Sequence, residues 1–371
     1  MLDFDDLDET AAARAADGDE DALLALGAVE KPGPFKGFYL SKMRHNKQWP
    51  GRQHLPEKVR SVRDEDPIAD EFQIRLFVFY GGGDSYVMWS QPLNACPKWL
   101  DVGIHEFPGH GTREDEPLNK DMFELAQDAW EGLEGILKQH AKDGFFEGAP
   151  FAFLGHSQGI LQMIEVAERA KRLLALEPVA VFALDRPPPG PTGASRKGYE
   201  LLTMDWPFDF YEFQEPLGSM MKNRPDDPKT IKIVKMWQND MRQSNEPHTQ
   251  RPVGFHTFNC DVHIVIALRN WDMDKQYEYM KKNDMEIGEE MLRCYERQVL
   301  IHDSGEASYF NREAYNLWDK WTTQTAHYHE MEMDHNGLKT FKEMWALVFK
   351  VLQKEMTKKS VEQISFPTPN A

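Results

Sequence analysis

Short apolar runs that alternate with longer helical stretches constrain the fold of this chain more than any other feature of its sequence. Each run has the length of a buried strand, and the chain between two runs is long enough for a helix that crosses to a parallel neighbour. The alternation predicts an α/β fold with a mostly parallel sheet flanked by helices. The five runs are residues 75–80, 102–107, 151–154, 179–184 and 263–268, and helices are predicted at 122–140, from 159 to about 174, and at 338–354.

The segments outside this pattern predict how the chain is divided. Residues 1–70 are acidic at first and then rich in Pro, Gly and basic residues, so we expect a partly mobile N-terminal extension before an α/β domain at 71–371. Within that domain, about 186–258 is long, Pro-rich and aromatic, which is typical of an insertion that forms a lid, and we expect it to be helical. A second insertion is predicted at about 275–310.

Composition narrows the class of protein. The 371 residues are 41% hydrophobic, which indicates a folded chain, and the net charge of −18 argues against binding to nucleic acid. No run reaches the roughly 18 apolar residues of a membrane span, and the start of the chain is acidic where a signal peptide is basic. The three cysteines match no metal-ligand spacing. We therefore expect a cytoplasmic protein that needs no cofactor, with organellar targeting left open.

The pentapeptide Gly155-His-Ser-Gln-Gly159 lies between an apolar run and a helical pattern, and it predicts a catalytic serine. A serine in a nucleophile elbow occupies a strained strand-to-helix turn, and glycines two positions before and after it leave room for that turn. We expect Ser157 to be the nucleophile, in an elbow formed with Gly155, His156 and Gly159. The backbone N–H of Gln158, at the start of the helix, is one predicted oxyanion donor.

The second oxyanion donor is expected in the loop after the first apolar run, which reads Gly81-Gly-Gly83. Glycine lets a backbone N–H approach a ligand without interference from a Cβ atom. We expect Gly81 to supply this N–H. Three consecutive glycines lack the spacing of a nucleotide-phosphate loop, so that kind of site is not predicted.

A serine nucleophile needs a histidine as its base and an acid that orients the histidine, in the chain order Ser, Asp or Glu, His for this kind of elbow. His335 precedes the last predicted helix, where the base should lie. The loop after the fifth run offers Asp272 and Asp274 as the acid, and Asp272 is preferred because it is closer to the end of the strand. Asp303 is a more remote candidate.

Two further histidines, His327 and His329, alternate as residues of a strand do. Side chains two positions apart on a strand lie on the same face of the sheet, so we expect the two rings to stack there. Two imidazoles without a third ligand are too few for a structural metal site. No metal is therefore predicted.

Taken together, these motifs resemble the type II thioesterases, which are α/β hydrolases that serve polyketide and non-ribosomal peptide synthesis. Two motifs depart from the family pattern. Where the family has the acid motif Gly-Gly-Asp-x-Asp, this chain has Arg269-Asn-Trp-Asp-Met-Asp274. Where the family has Gly-Gly-His, this chain has Met333-Asp-His335. The matching segments run in order from about residue 75 to residue 349 and include Leu76-Phe-Val-Phe-Tyr-Gly-Gly-Gly83, Phe107-Pro-Gly-His-Gly-Thr-Arg113, the serine motif and Asp334-His-Asn-Gly-Leu338.

The resemblance implies an α/β-hydrolase fold and a thioesterase whose triad is Ser157, His335 and Asp272 or Asp274. It also implies that the substrate and partner is an acyl carrier protein or a coenzyme A thioester. A carrier protein is typically acidic, so a basic cluster would be its docking site, namely Arg169, Lys171, Arg172, Arg196 and Lys197. The same scaffold also supports a carboxylesterase, a lipase, an acyltransferase or a non-catalytic protein that binds acyl chains.

Overall fold

The computed structural model describes residues 38–40, 74–89, 96–97, 99–142, 150–189, 226–245, 256–268, 315–333 and 335–365. The strands among them are β1 (Phe38–Leu40), β2 (Ile74–Phe79), β3 (Leu100–His105), β4 (Phe151–His156), β5 (Ala180–Leu184), β6 (Asp261–Ala267) and β7 (Ala326–Met331). The α-helices are α1 (Met122–Lys142), α2 (Gly159–Leu174), α3 (Pro228–Asn245) and α4 (Lys342–Ser365). Short 3₁₀ helices cover Tyr86–Trp89, Gly111–Arg113, Leu317–Lys320 and Gly337–Thr340.

The strands form one sheet in the order β1-β3-β2-β4-β5-β6-β7. Strands β2 to β7 are parallel, and β1 pairs antiparallel with β3. The predicted α/β fold with a mostly parallel sheet is therefore confirmed. Strand β1 belongs to the predicted N-terminal extension, so at least three residues of that segment join the edge of the sheet; the domain boundary itself stays a prediction.

Helices cover both faces of the sheet. On one face, α1 and α2 pack over the aromatic side chains of β2 and β4, where Phe79 and Phe153 meet edge to face at 5.7 Å. On the other face lies α4, whose Trp345 packs against Trp89 with 6.3 Å between the ring centroids. Strands β2, β4 and β5 are buried at every position. Burial on both faces is the reason that these strands appear in the sequence as continuous apolar runs.

The strand order changes direction at β2, because the chain adds β3 on one side of it and then β4 on the other. The loops that follow β2 and β4 therefore leave the sheet toward different sides, and a crevice opens at the carboxyl ends of the strands. This is the place where an open parallel sheet usually binds its ligand. In the part of the chain that the structure describes, no helix is long and apolar enough to cross a membrane.

A buried ion-pair network ties the loop after β3 to α1. Arg113 donates two hydrogen bonds to the carboxylate of Asp128, at 2.6 and 2.9 Å, and two to that of Glu116, at 2.6 and 3.0 Å. His105 Nε2 lies 2.9 Å from Asp128 Oδ2. Burial alone would raise the pKa of Asp128, yet hydrogen bonds from Arg113 and His105 hold it well below its usual range. The network keeps Asp128 ionised in the interior and anchors the loop.

Replacing Arg113 by Met should lower the free energy of unfolding by about 3–5 kcal/mol, because a buried carboxylate loses its cation. Urea unfolding at neutral pH measures the loss. Arg172→Met is the matched control: the Arg172 side chain is 60% exposed and pairs with Glu168, so its removal should cost less than about 1 kcal/mol. Similar small losses in both variants would contradict the anchoring role of Arg113.

Candidate active site

Ser157 lies directly after β4, in the turn that leads into α2. Its backbone has φ 51°, which is uncommon for a residue with a side chain, and its N–H donates to the Leu184 carbonyl at 3.0 Å. A Cβ atom on Gly155 would lie 2.8 Å from Ile160 Cα, and one on Gly159 would overlap the carbonyl oxygen of Phe79. The two glycines therefore leave the room that an elbow requires. The structure places Ser157 in the geometry that the pentapeptide predicts.

His335 contacts an aspartate that comes directly after β5. His335 Nδ1 lies 2.7 Å from Asp185 Oδ2. The other oxygen of Asp185 accepts hydrogen bonds from the backbone N–H of Ala267, at 3.0 Å, and from the hydroxyl of Tyr315, at 3.1 Å. Asp185 is 1% exposed and has φ 50°. Two donors thus hold one carboxylate oxygen of Asp185, and the other oxygen contacts the histidine.

The residue before the serine holds the backbone of His335. His156 Nε2 donates to the carbonyl oxygen of His335 at 2.9 Å, and the two rings are 4.7 Å apart. Burial, followed by the positive charges near it, lowers the pKa of His156 well below its usual value, so the ring is neutral. This bond positions His335 beside the serine elbow, although the two segments are 179 residues apart in the chain.

The predicted acids, Asp272 and Asp274, lie outside the described residues, as does the remote candidate Asp303. The carboxylate that the structure brings to His335 is that of Asp185, which the sequence reasoning missed. A signal for it exists: Asp185 is the acid that immediately follows an apolar run, and the chain order Ser157, Asp185, His335 is the order that the fold requires.

Both predicted oxyanion donors lie near Ser157. A Cβ atom on Gly81 would be 3.1 Å from Ser157 Cβ and 2.9 Å from His156 Nδ1, so only glycine fits there without displacing the elbow. Gln158 adopts helical dihedrals at the start of α2. The backbone N–H groups of Gly81 and Gln158 donate to no acceptor within the described residues. Two such N–H groups, one at the start of α2 and one in the glycine loop, can stabilise an oxyanion.

Helix α3, which belongs to the predicted lid, packs on the glycine loop. Asp240 Oδ2 accepts from the Gly83 N–H at 2.7 Å and lies 2.8 Å from His110 Nε2. The Trp237 indole covers Gly83 so closely that a Cβ atom there would overlap it. A cleft of about 360 Å³ opens between α3 and the loop after β3, with Leu118 on its apolar lining. Four other aromatic residues of the segment predicted to form the lid lie outside the described residues: Trp206, Phe208, Phe210 and Tyr211.

The contact between His110 and Asp240 makes the docking of α3 sensitive to pH. Burial disfavours the charged form of His110, but the Asp240 carboxylate and the Pro108 carbonyl outweigh it and raise the pKa of His110. A raised pKa in the folded state adds stability that is fully present below the unfolded value, about 6.5, and is lost as the pH rises through the folded value.

Asp240→Asn removes this contribution. The free energy of unfolding should therefore fall by about 1–3 kcal/mol near pH 6, and the difference from the wild type should shrink as the pH rises. Urea unfolding between pH 6 and pH 9 measures it. The control is Asp226→Asn, because Asp226 is exposed just before the same helix. A difference that is constant across this range would contradict the ion pair.

About a third of the chain is similar in sequence to known proteins. No family model matches the sequence. The chain is similar to linear gramicidin dehydrogenase LgrE of Brevibacillus parabrevis, with 30% identity over 125 residues that cover 33% of this chain and 43% of that protein. It is also similar to the medium-chain S-acyl fatty acid synthase thioesterase of Homo sapiens, with 27% identity over 127 residues, or 34% of this chain and 43% of that enzyme. The chain thus spans less than half the length of either relative.

The fold is shared with a solved structure. YbtT, a type II thioesterase from the yersiniabactin NRPS/PKS biosynthetic pathway, superposes with a TM-score of 0.51 at 9% identity, covering 76% of this chain and 92% of that one. At this identity the likeness concerns the fold alone. The chain therefore has an α/β-hydrolase fold, and it resembles the type II thioesterases both in that fold and in the order of its motifs.

Proposed function

We propose that this protein is a serine hydrolase that cleaves acyl groups from phosphopantetheine thioesters, carried by an acyl carrier protein or by coenzyme A. The observation that carries the proposal is the buried contact of 2.7 Å between His335 Nδ1 and Asp185, next to a serine held in an elbow at φ 51°. A nucleophile, a base and an orienting acid at the carboxyl ends of strands in one parallel sheet form the arrangement that activates a serine.

In the proposed reaction Asp185 fixes the tautomer of His335. Because Nδ1 is directed at the carboxylate, Nε2 remains to accept the proton of the Ser157 hydroxyl. Ser157 then attacks the carbonyl carbon of the thioester, and the thiol leaves with the proton from His335. Water, activated by the same histidine, hydrolyses the acyl-enzyme and regenerates the serine.

Charge develops on the carbonyl oxygen during both steps. The backbone N–H groups of Gly81 and Gln158 would hold this oxygen, since both are near Ser157 and neither donates to an acceptor within the described residues. Fixed backbone dipoles stabilise an oxyanion without having to reorganise, and one such donor is typically worth about 3–4 kcal/mol in the transition state.

The thioester part of the proposal rests on resemblance, because a triad by itself acts on oxygen esters and thioesters alike. The supporting observations are the ordered motifs from the glycine loop to His335, the fold of YbtT and the similarity to a thioesterase of Homo sapiens. The other curated relative is named as a dehydrogenase, so the relatives alone do not select one reaction.

Two of the five side chains in the basic cluster predicted to dock a carrier protein are paired with acids. Lys171 pairs with Glu177 at 3.0 Å, and Arg172 pairs with Glu168 at 3.2 Å. Both lie in the last turn of α2, roughly 20 Å along the helix axis from the serine end. Arg196 and Lys197 lie outside the described residues. The paired charges and the distance favour carrier docking on another surface, nearer to the carboxyl ends of the strands.

The identity of the acid is tested by three single substitutions. Asp185→Asn should lower kcat by about 10⁴-fold, because the amide favours the wrong tautomer of His335. Asp272→Asn and Asp274→Asn serve as controls and should keep kcat near the wild-type value. Steady-state kinetics on an acyl-pantetheine thioester measures all three. A large loss of kcat in either control, together with a small loss in Asp185→Asn, would show that the acid lies in the loop after β6.

The reaction class is tested by a fluorophosphonate probe and by matched substrates. The probe should label the wild type and the control Ser85→Ala, but not Ser157→Ala, because only an activated serine reacts. For a thioester and an oxygen ester with the same acyl group, kcat/KM should be roughly tenfold or more higher for the thioester, which corresponds to about 1.4 kcal/mol. Preference for the oxygen ester would indicate an esterase, and absent labelling would indicate a non-catalytic binding protein.

A further inference from the structure

A cluster of imidazoles and one carboxylate lies on the sheet at the ends of the strands opposite to Ser157. Asp261 and His263 belong to β6, and His327 and His329 belong to β7. His263 is the direct partner of His327 in the strand pairing. Because residues two apart share a face, all four side chains point to the face that α4 covers.

The rings of His327 and His329 lie on one face as predicted, with centroids 6.5 Å apart and 27° between their planes. The ring of His263 is closer to each of them: its centroid is 4.7 Å from that of His327, at 12°, and 5.4 Å from that of His329, at 18°. The prediction that no metal site occurs rested on the lack of a third ligand. The structure adds Asp261 and His263 to the two histidines of β7.

The distances within the cluster suit a tetrahedral ion. The ligand atoms of Asp261, His263 and His327 all lie within 4.8 Å of one another. His327 Nε2 is 3.3 Å from Asp261 Oδ2, and His263 Nδ1 is 3.1 Å from His329 Nε2. Two ligand atoms bound to one tetrahedral zinc ion, each at about 2.0–2.1 Å, are separated by about 3.3 Å.

We propose that Asp261, His263 and His327 bind a first-row divalent transition-metal ion, with Zn²⁺ as the best fit, and that His329 completes or supports the site. Imidazole nitrogens with one carboxylate are a ligand set that suits zinc. Asp261 and His327 are partly exposed, with side-chain exposures of 29% and 39%, so an ion can enter from solvent.

The ion would act on structure, not on the reaction at Ser157. From His327 to Met331 the chain runs about 13 Å along β7, and His335 follows beyond that end. Among the strands that the structure describes, β7 is the last of the sheet and pairs with β6. An ion bound by residues at the start of β6 and at the start of β7 would hold β7 against β6. Strand β7 is the strand that leads to His335.

The test uses the full chain without an affinity tag, after treatment with a chelator. Isothermal titration calorimetry with Zn²⁺ should show one saturable site per chain. His327→Gln and Asp261→Asn should each weaken binding about tenfold or more. Glu330→Gln, on the opposite face of β7, is the matched control and should bind like the wild type. No saturable binding in the wild type, or wild-type affinity in both ligand variants, would overturn the proposal.

A second measurement decides the question even if the variants fail to fold. Co²⁺ bound to the wild type in place of Zn²⁺ should give the intense visible absorption of a tetrahedral site, which excess Zn²⁺ abolishes. The weak spectrum of octahedral Co²⁺ would mean that the four residues form only a hydrogen-bonded stack. Saturating Zn²⁺ should also raise the thermal midpoint of the wild type and of Glu330→Gln, but not that of Asp261→Asn; equal shifts would contradict the site.

Discussion

The close approach of the serine turn to the neighbouring strand is the constraint on which the rest of the site depends. Gly159 lies against the carbonyl of Phe79, and Gly155 lies against Ile160, so β4, β2 and α2 meet with no space for a side chain. This contact keeps Ser157 at a backbone angle that an isolated residue rarely adopts. The cost of that angle is offset by the buried sheet around it, because every residue of β2 and β4 is buried.

The same sheet gathers residues that are far apart in the chain. Ser157, Asp185 and His335 come after three different strands, and the parallel arrangement places all three at one edge. The opposite ends of β6 and β7 bring together Asp261 and the histidines in the same way. Strand β7 therefore connects the two sites: its first half carries His327 and His329, and its end leads to the candidate base His335.

Parts of the candidate site were predictable because they depend on local chemistry. The glycine spacing around Ser157 specifies a turn between a strand and a helix, and His335 precedes the last helix as a base should. The acid has a weaker local signal, because its position directly after an apolar run does not by itself single it out. The acid was predicted in the loop after β6, whereas the structure brings the carboxylate of Asp185, at the end of β5, to His335. Strand β5 is the direct neighbour of β4, which carries the serine turn. The histidines of β7 could be assigned to one face, but their partners on β6 depended on strand register.

The sequence by itself determined the class of fold and the candidate nucleophile, since the apolar runs, the helical spacing and the serine pentapeptide are all properties of neighbouring residues. Tertiary structure decided which carboxylate orients His335, that the His156 side chain positions the backbone of His335, and that Asp240 of α3 reaches the glycine loop. Each of these contacts joins residues that are 150 or more positions apart. Their partners are selected by strand order, register and helix packing, which follow from burial of the whole core and cannot be read from any local pattern.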